Sequence, residues 1–172
     1  MTHAIGRIFV DCSMRKLDQH ASRIRDCLSR LNDTQIWARG GPNQNAIGNI
    51  VLHLCGNVRQ WIISGVGGAQ DTRQRDAEFA AREGSSAREL SEQLTVTMSE
   101  AAAVLEDLGG ARLAERVQIQ GYDVTVIEAV YHVVEHFAQH TGQIIFATKA
   151  LTAQDLGYYA HLKQAAHGEK TP

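Results

Sequence analysis

Proline is nearly absent: the chain has two in 172 residues. Long helices therefore go largely uninterrupted by the residue that breaks them most effectively. Cysteine is scarce as well. Cys12, Cys27 and Cys55 form no CxxC pair, and an odd count suits no closed disulfide framework. The expected state is free, buried or half-buried thiols in a reducing cytoplasm. There is no basic surplus, since 17 Lys and Arg face 19 Asp and Glu for a net charge of −2. A nucleic-acid module usually carries such a surplus, so no nucleic-acid partner is expected. No apolar run approaches the ~20 residues that span a bilayer, so no membrane association is expected. Met1 to Val10 lacks a basic stretch followed by a long apolar one, so no signal peptide is expected either.

What the chain does have is helical periodicity. Leu17, Ile24, Cys27, Leu28 and Leu31 recur at spacings of three, four and seven, which predicts a first helix from about Ile8 to Leu31. Asn32-Asp33 ends it, and Gly40-Gly41-Pro42-Asn43 is a turn. A second helix is expected from about Ala46 to Ser64, with Asn45 as N-cap and Gly65 as its stop. The charged segment Asp71 to Glu83 reads as solvated surface, in which an arginine near a site would hold an anionic substrate. Ser86 and Glu89 form a capping box that opens a third helix, about Ala87 to Leu108. Val117, Ile119 and Gly121 suggest a short extended piece. Thr125 and Glu128 form another capping box and open a fourth helix, about Val126 to Leu151. A short amphipathic helix is expected around Asp155 to Ala165. Four long helices without a convincing strand pattern predict an all-α four-helix bundle, in one domain over residues 1–172.

The histidines carry the chemistry. His132, His136 and His140 are each four residues apart. Four residues advance a helix by about 40° past a full turn and rise about 6 Å, so neighbours share a face. His132 and His140 are about 12 Å apart along the axis, too far to share one ion. One adjacent pair plus a ligand from another helix would make a site. His53 is the obvious candidate, because it interrupts the apolar run Ile50-Val51-Leu52-His53-Leu54. Three imidazoles from facing helices leave open positions for water or substrate and suit Zn, Ni, Cu or Fe. A competing pattern is His132-Val133-Val134-Glu135-His136, which reads as HxxEH, the inverted zinc-protease motif. In that reading Glu135 activates water, but only Asp155 and Glu169 follow as acidic ligands. His3, His20, His161 and His167 are expected to be ordinary surface or packing residues. Cys55 lies about 200° around the helix from His53 and is not expected at the site. Trp61 and Phe137 are expected to be core or interface aromatics.

The segment His136-Phe137-Ala138-Gln139-His140-Thr141-Gly142-Gln143-Ile144 resembles the HxxxHxGQI signature of the DinB superfamily. The stretch Ile47 to Asn57, followed by Arg59-Gln60-Trp61, resembles the first metal-histidine helix of a DinB-like subfamily of unknown function. Arg75-Asp76-Ala77-Glu78-Phe79 is similar to a recurring segment there. The resemblance spans about Ile47 to Lys149. It implies a DinB/YfiT-like bundle of up-down-down-up connectivity, with a divalent metal (Zn, Ni, Mn or Fe) on His53, His136 and His140. His132 then becomes a neighbour of the site. It also implies a homodimer, a small-molecule substrate, and a low-molecular-weight thiol as co-substrate, with the metal lowering that thiol's pKa. The enzyme class would be a metal-dependent S-transferase or hydrolase; the alternative is a non-catalytic metal-binding or stress-related protein. Metal-bound imidazoles usually donate their second N–H to an oxygen. Asn57 and Gln143 are candidates for that supporting role, since each lies near one turn beyond a ligand.

Overall fold

The computed structural model describes residues 2–108, 110 and 112–163. His167, Glu169 and the side chain of His3 lie outside the described part. Helix α1 spans Thr2–Ser29 and starts earlier than the periodicity suggests. Its first turns leave Ile5 and Ile8 exposed and pack through Gly6 instead. A Cβ on Gly6 would stand 2.7 Å from the Gly110 carbonyl oxygen. A glycine contact leaves no apolar stripe to read. Further along, Val10, Leu17, Ala21, Ile24, Cys27 and Leu28 are fully buried.

The chain turns through a short helix, α2 (Asp33–Ile36), which Asn32 and Gln35 cap reciprocally. Helix α3 is Ile47–Val58, and it continues without a break as a π-helical segment, Arg59–Val66. Its N-cap is Ala46, not Asn45, because the Ala46 N–H donates to Asn49 Oδ1 at 3.1 Å. Gly65 does not stop this helix. It sits inside the π-helical segment, where a Cβ would collide with Ile119. The end comes at Gly67, whose N–H donates to the Ile62 carbonyl five residues back at 2.9 Å.

Asp71 to Glu83 contains a helix, α4 (Arg75–Ala80), laid against α3. Helix α5 (Ala87–Leu108) opens on the expected capping box, with the Ser86 N–H donating to Glu89 Oε2 at 2.8 Å. The extended piece is an antiparallel hairpin of β1 (Arg116–Ile119) and β2 (Tyr122–Thr125), with Ile119 opposite Tyr122. Its turn, Gln120-Gly121, has positive φ at both residues, 51° and 81°, as a type I′ hairpin turn requires. Helix α6 (Val126–Thr152) opens on Thr125, whose N–H donates to Glu128 Oε2 at 2.7 Å. Beyond it there is a 3-10 turn, Ala160–Lys163, in place of the expected helix. That segment is tied to α1 by the Tyr158 hydroxyl, which donates to Asp26 Oδ2 at 2.7 Å.

The fold is thus mostly helical with one small two-stranded sheet. Helix α1 packs on α5 and α6, and α3 packs on α5 and α6, around one buried apolar cluster. Phe137, at its centre, is fully buried. Among the described residues, no helix is long and apolar enough to cross a membrane.

His20 of α1 lies against this cluster, its ring centroid 6.5 Å from that of Phe137. Burial, then the charges of Arg23 and Lys16, push its pKa down to about 4. An unfolded histidine titrates near 6.5. Between these values the unfolded chain holds a proton that the folded one lacks, so stability is lost as pH falls from 6.5 towards 4. In His20→Gln that acid slope is expected to be shallower by about one proton, read from urea unfolding at stepped pH.

Candidate metal centre

Helix α3 supplies His53 and helix α6 supplies His136 and His140. The Nε2 atoms of His53 and His140 each lie 3.1 Å from His136 Nε2. The His136 and His140 rings meet nearly edge-on, with centroids 4.5 Å apart at 82°. The i, i+4 spacing puts the two on one face, and α3 packs where that face points. His53 is buried and the other two are half-buried, so the cluster opens on one side.

The outer nitrogens show which protons are available. His140 Nδ1 lies 2.8 Å from Gln143 Oε1, and an amide oxygen only accepts, so this ring carries its proton on Nδ1. His53 Nδ1 lies 3.1 Å from Glu78 Oε2 and 3.0 Å from Arg73 Nη2. A guanidinium cannot accept, so only one of these two contacts is a hydrogen bond in any tautomer. With Nε2 used as a ligand, Nδ1 is protonated and Glu78 accepts from it. The three Nε2 atoms then face one another with more lone pairs than protons. A cation resolves that, and at the tetrahedral angle imidazole nitrogens about 2.0–2.1 Å from zinc stand roughly 3.3–3.4 Å apart. The two 3.1 Å separations are slightly shorter, so a small outward shift of the rings would admit the ion.

The electrostatics agree. Burial, then the neighbouring His140, His53 and His132, push His136 down to about 3. Burial lowers His140 as well, against the contact with Gln143, which raises it. Neutral imidazole is the form a metal needs. Burial alone would raise the Glu78 carboxyl, but the hydrogen bonds from Arg73 and His53 outweigh it and hold it below the usual range.

His132 does not join the cluster. Its ring stacks on His136 at 5.4 Å and on Trp61 at 4.2 Å, between centroids. Burial lowers its pKa. The structure therefore pairs His136 with His140 rather than with His132, and Glu135 of the HxxEH pattern is exposed. Asn57 turns to His132, with Nδ2 3.5 Å from that ring's Nε2, at the long limit of a hydrogen bond. The advance of about 40° per four residues carries it past His53 towards the Trp61 side. Trp61 and Phe137 are both buried. Cys55 is buried beside α5, and desolvation pushes its thiol up to about 12.

The largest departure from the sequence reading is the charged segment. It is not all solvated surface, since the Arg73 and Glu78 side chains are 3% and 10% exposed and pair directly behind His53. Two residues of α3 make room for them. A Cβ on Gly56 would collide with Glu78 Oε1. Buried Asn49 donates through Nδ2 to the carbonyls of Glu78 and Ala81, both at 2.8 Å. A helical glycine one turn from His53, and an asparagine inside an apolar stripe, were the available signals. Phe79 of the same segment covers His53, with centroids 4.7 Å apart, and Arg75 lies over Phe79 at 5.0 Å.

Fold and site together define a helical protein that presents three convergent imidazoles from two helices, in a geometry able to hold a metal ion. Residues 4–162 match the family described as protein of unknown function DUF1572, and the chain belongs to that family. A crystal structure of a conserved protein from Enterococcus faecalis is similar in fold, with a TM-score of 0.68 at 13% identity. The match covers 84% of this chain and 97% of that one. No curated protein is significantly similar in sequence.

Proposed function

We propose that this chain is a metal-dependent enzyme of the DinB-like type, with a divalent cation held by His53, His136 and His140. In this reading α1, α3, α5 and α6 form a four-helix bundle of up-down-down-up connectivity, cytoplasmic and homodimeric. The observation that carries the proposal is the convergence of three Nε2 atoms, two of them 3.1 Å from the third, on a partly open face. A structural centre would normally be closed by a fourth protein ligand. Among the described residues, no acidic or cysteine side chain joins the three. That supports an open centre that admits a reacting group.

A bound cation would supply Lewis acidity, lowering the pKa of a thiol or water brought to it. The chain's own residues hold the geometry. Gln143 fixes the tautomer and rotation of His140. Phe79 shields the buried edge of His53 from water. His132 stacks on His136, and the buried Trp61 ring packs against His132 behind it. By its resemblance to DinB-like proteins, the reaction we propose is transfer of a low-molecular-weight thiol to a small electrophile, or hydrolysis of a small substrate.

The test is turnover of glutathione, bacillithiol or mycothiol with a chromogenic electrophile, by metal-loaded protein. Activity is expected to disappear in His136→Ala while the circular dichroism spectrum is kept. Turnover that survives the substitution would refute the catalytic role of this centre.

A further inference from the structure

Arg73 grips Glu78 with both arms of its fork, Nε donating to Oε1 and Nη2 to Oε2, each at 2.8 Å. Its third arm, Nη1, donates to Gln60 Oε1 at 2.9 Å, and Gln60 Nε2 donates onward to Asp71 Oδ2 at 2.7 Å. The Glu78 backbone is fixed separately by Asn49. A carboxylate this deeply buried needs a paired cation, and arginine's planar fork matches it. The pair occupies the place where a metal-bound histidine usually finds its oxygen partner. A carboxylate partner ordinarily brings a negative charge with it. Here the charge is cancelled at once by the guanidinium fork.

We propose that Arg73 and Glu78 act as one neutral positioning unit. Glu78 fixes the His53 ring with Nε2 turned to the metal, and Arg73 cancels the carboxylate's charge. The centre thereby keeps the full charge of its cation and takes an anionic ligand. This rests on the metal-centre reading above.

The test uses cobalt(II) as the metal and azide as the anion, both read from the visible spectrum. Glu78→Gln is expected to weaken cobalt binding about 10–100-fold. It leaves Arg73 uncompensated, so azide binds the loaded form more tightly, by about threefold or more. Arg73→Met leaves a bare carboxylate, and azide binds more weakly by a similar factor. In Arg73→Met/Glu78→Gln the azide affinity returns to that of the unmodified protein while the cobalt affinity stays low. Should Arg73→Met fail to fold, the comparison of Glu78→Gln with the double variant decides. Unchanged cobalt affinity in Glu78→Gln overturns the positioning role. Equal azide affinity in Glu78→Gln and the double variant overturns the charge cancellation. If the unmodified protein and His136→Ala bind cobalt alike, the metal centre itself is wrong, which is a separate result.

Discussion

His136→Ala is expected to weaken zinc binding about a hundredfold to a thousandfold, measured by competition with a chromogenic chelator. His136 holds the middle position, since its Nε2 is 3.1 Å from both of the others. Four-ligand zinc sites in small domains bind with about 10–16 kcal/mol, so one ligand accounts for roughly 3–4 kcal/mol. At 1.4 kcal/mol per tenfold, that is two to three decades. The apo variant should remain folded. Among the described residues His136 Nδ1 is buried with no hydrogen-bond partner, so on that side its removal breaks no hydrogen bond. It also removes an imidazole that burial and its histidine neighbours already disfavour in charged form. A fall in metal affinity without a fall in helicity separates a ligand from a packing residue.

Asn49→Leu is expected to cost about 3 kcal/mol or more of stability, read from urea unfolding, and to weaken metal binding as well. Asn49 is fully buried. Its Oδ1 accepts from the Ala46 N–H at 3.1 Å and from Arg39 Nη2 at 2.5 Å. Its Nδ2 donates to two carbonyls of the α4 region. Leucine has a similar volume but takes their partner from the Ala46 N–H and the Glu78 carbonyl, while the Ala81 carbonyl keeps Arg39 and Arg82, and each buried unpaired group costs about 1–3 kcal/mol. The effect on the metal follows from position. Asn49 is the bolt between α3 and α4, and α4 carries Glu78 to His53 Nδ1. If the variant is destabilised yet binds zinc as tightly as before, Glu78 is placed without it.

The parts of this protein that sequence reveals are those with a period. The i, i+4 histidines and the apolar stripe of α1 come from a helix repeating itself, and two capping boxes mark the starts of α5 and α6. The Arg73–Glu78 pair has no such signature. Two charged residues five apart look like any solvated surface, and what buries them is a glycine and an asparagine on another helix. The π-helical segment was hidden for a different reason. One extra residue per turn hardly disturbs an apolar pattern, so Gly65 looked like a stop where the helix passes through. The hairpin was half visible, because its Gln120-Gly121 turn demands positive φ at a residue that gives little notice of it.

The most direct measurement is zinc K-edge X-ray absorption on untagged, zinc-loaded protein, with His53→Ala as the comparison. Three imidazole nitrogens at about 2.0–2.1 Å are expected, falling to two, or to loss of the metal, in the variant. A shell of sulfur, or one without histidine scattering, would contradict a centre built from His53, His136 and His140.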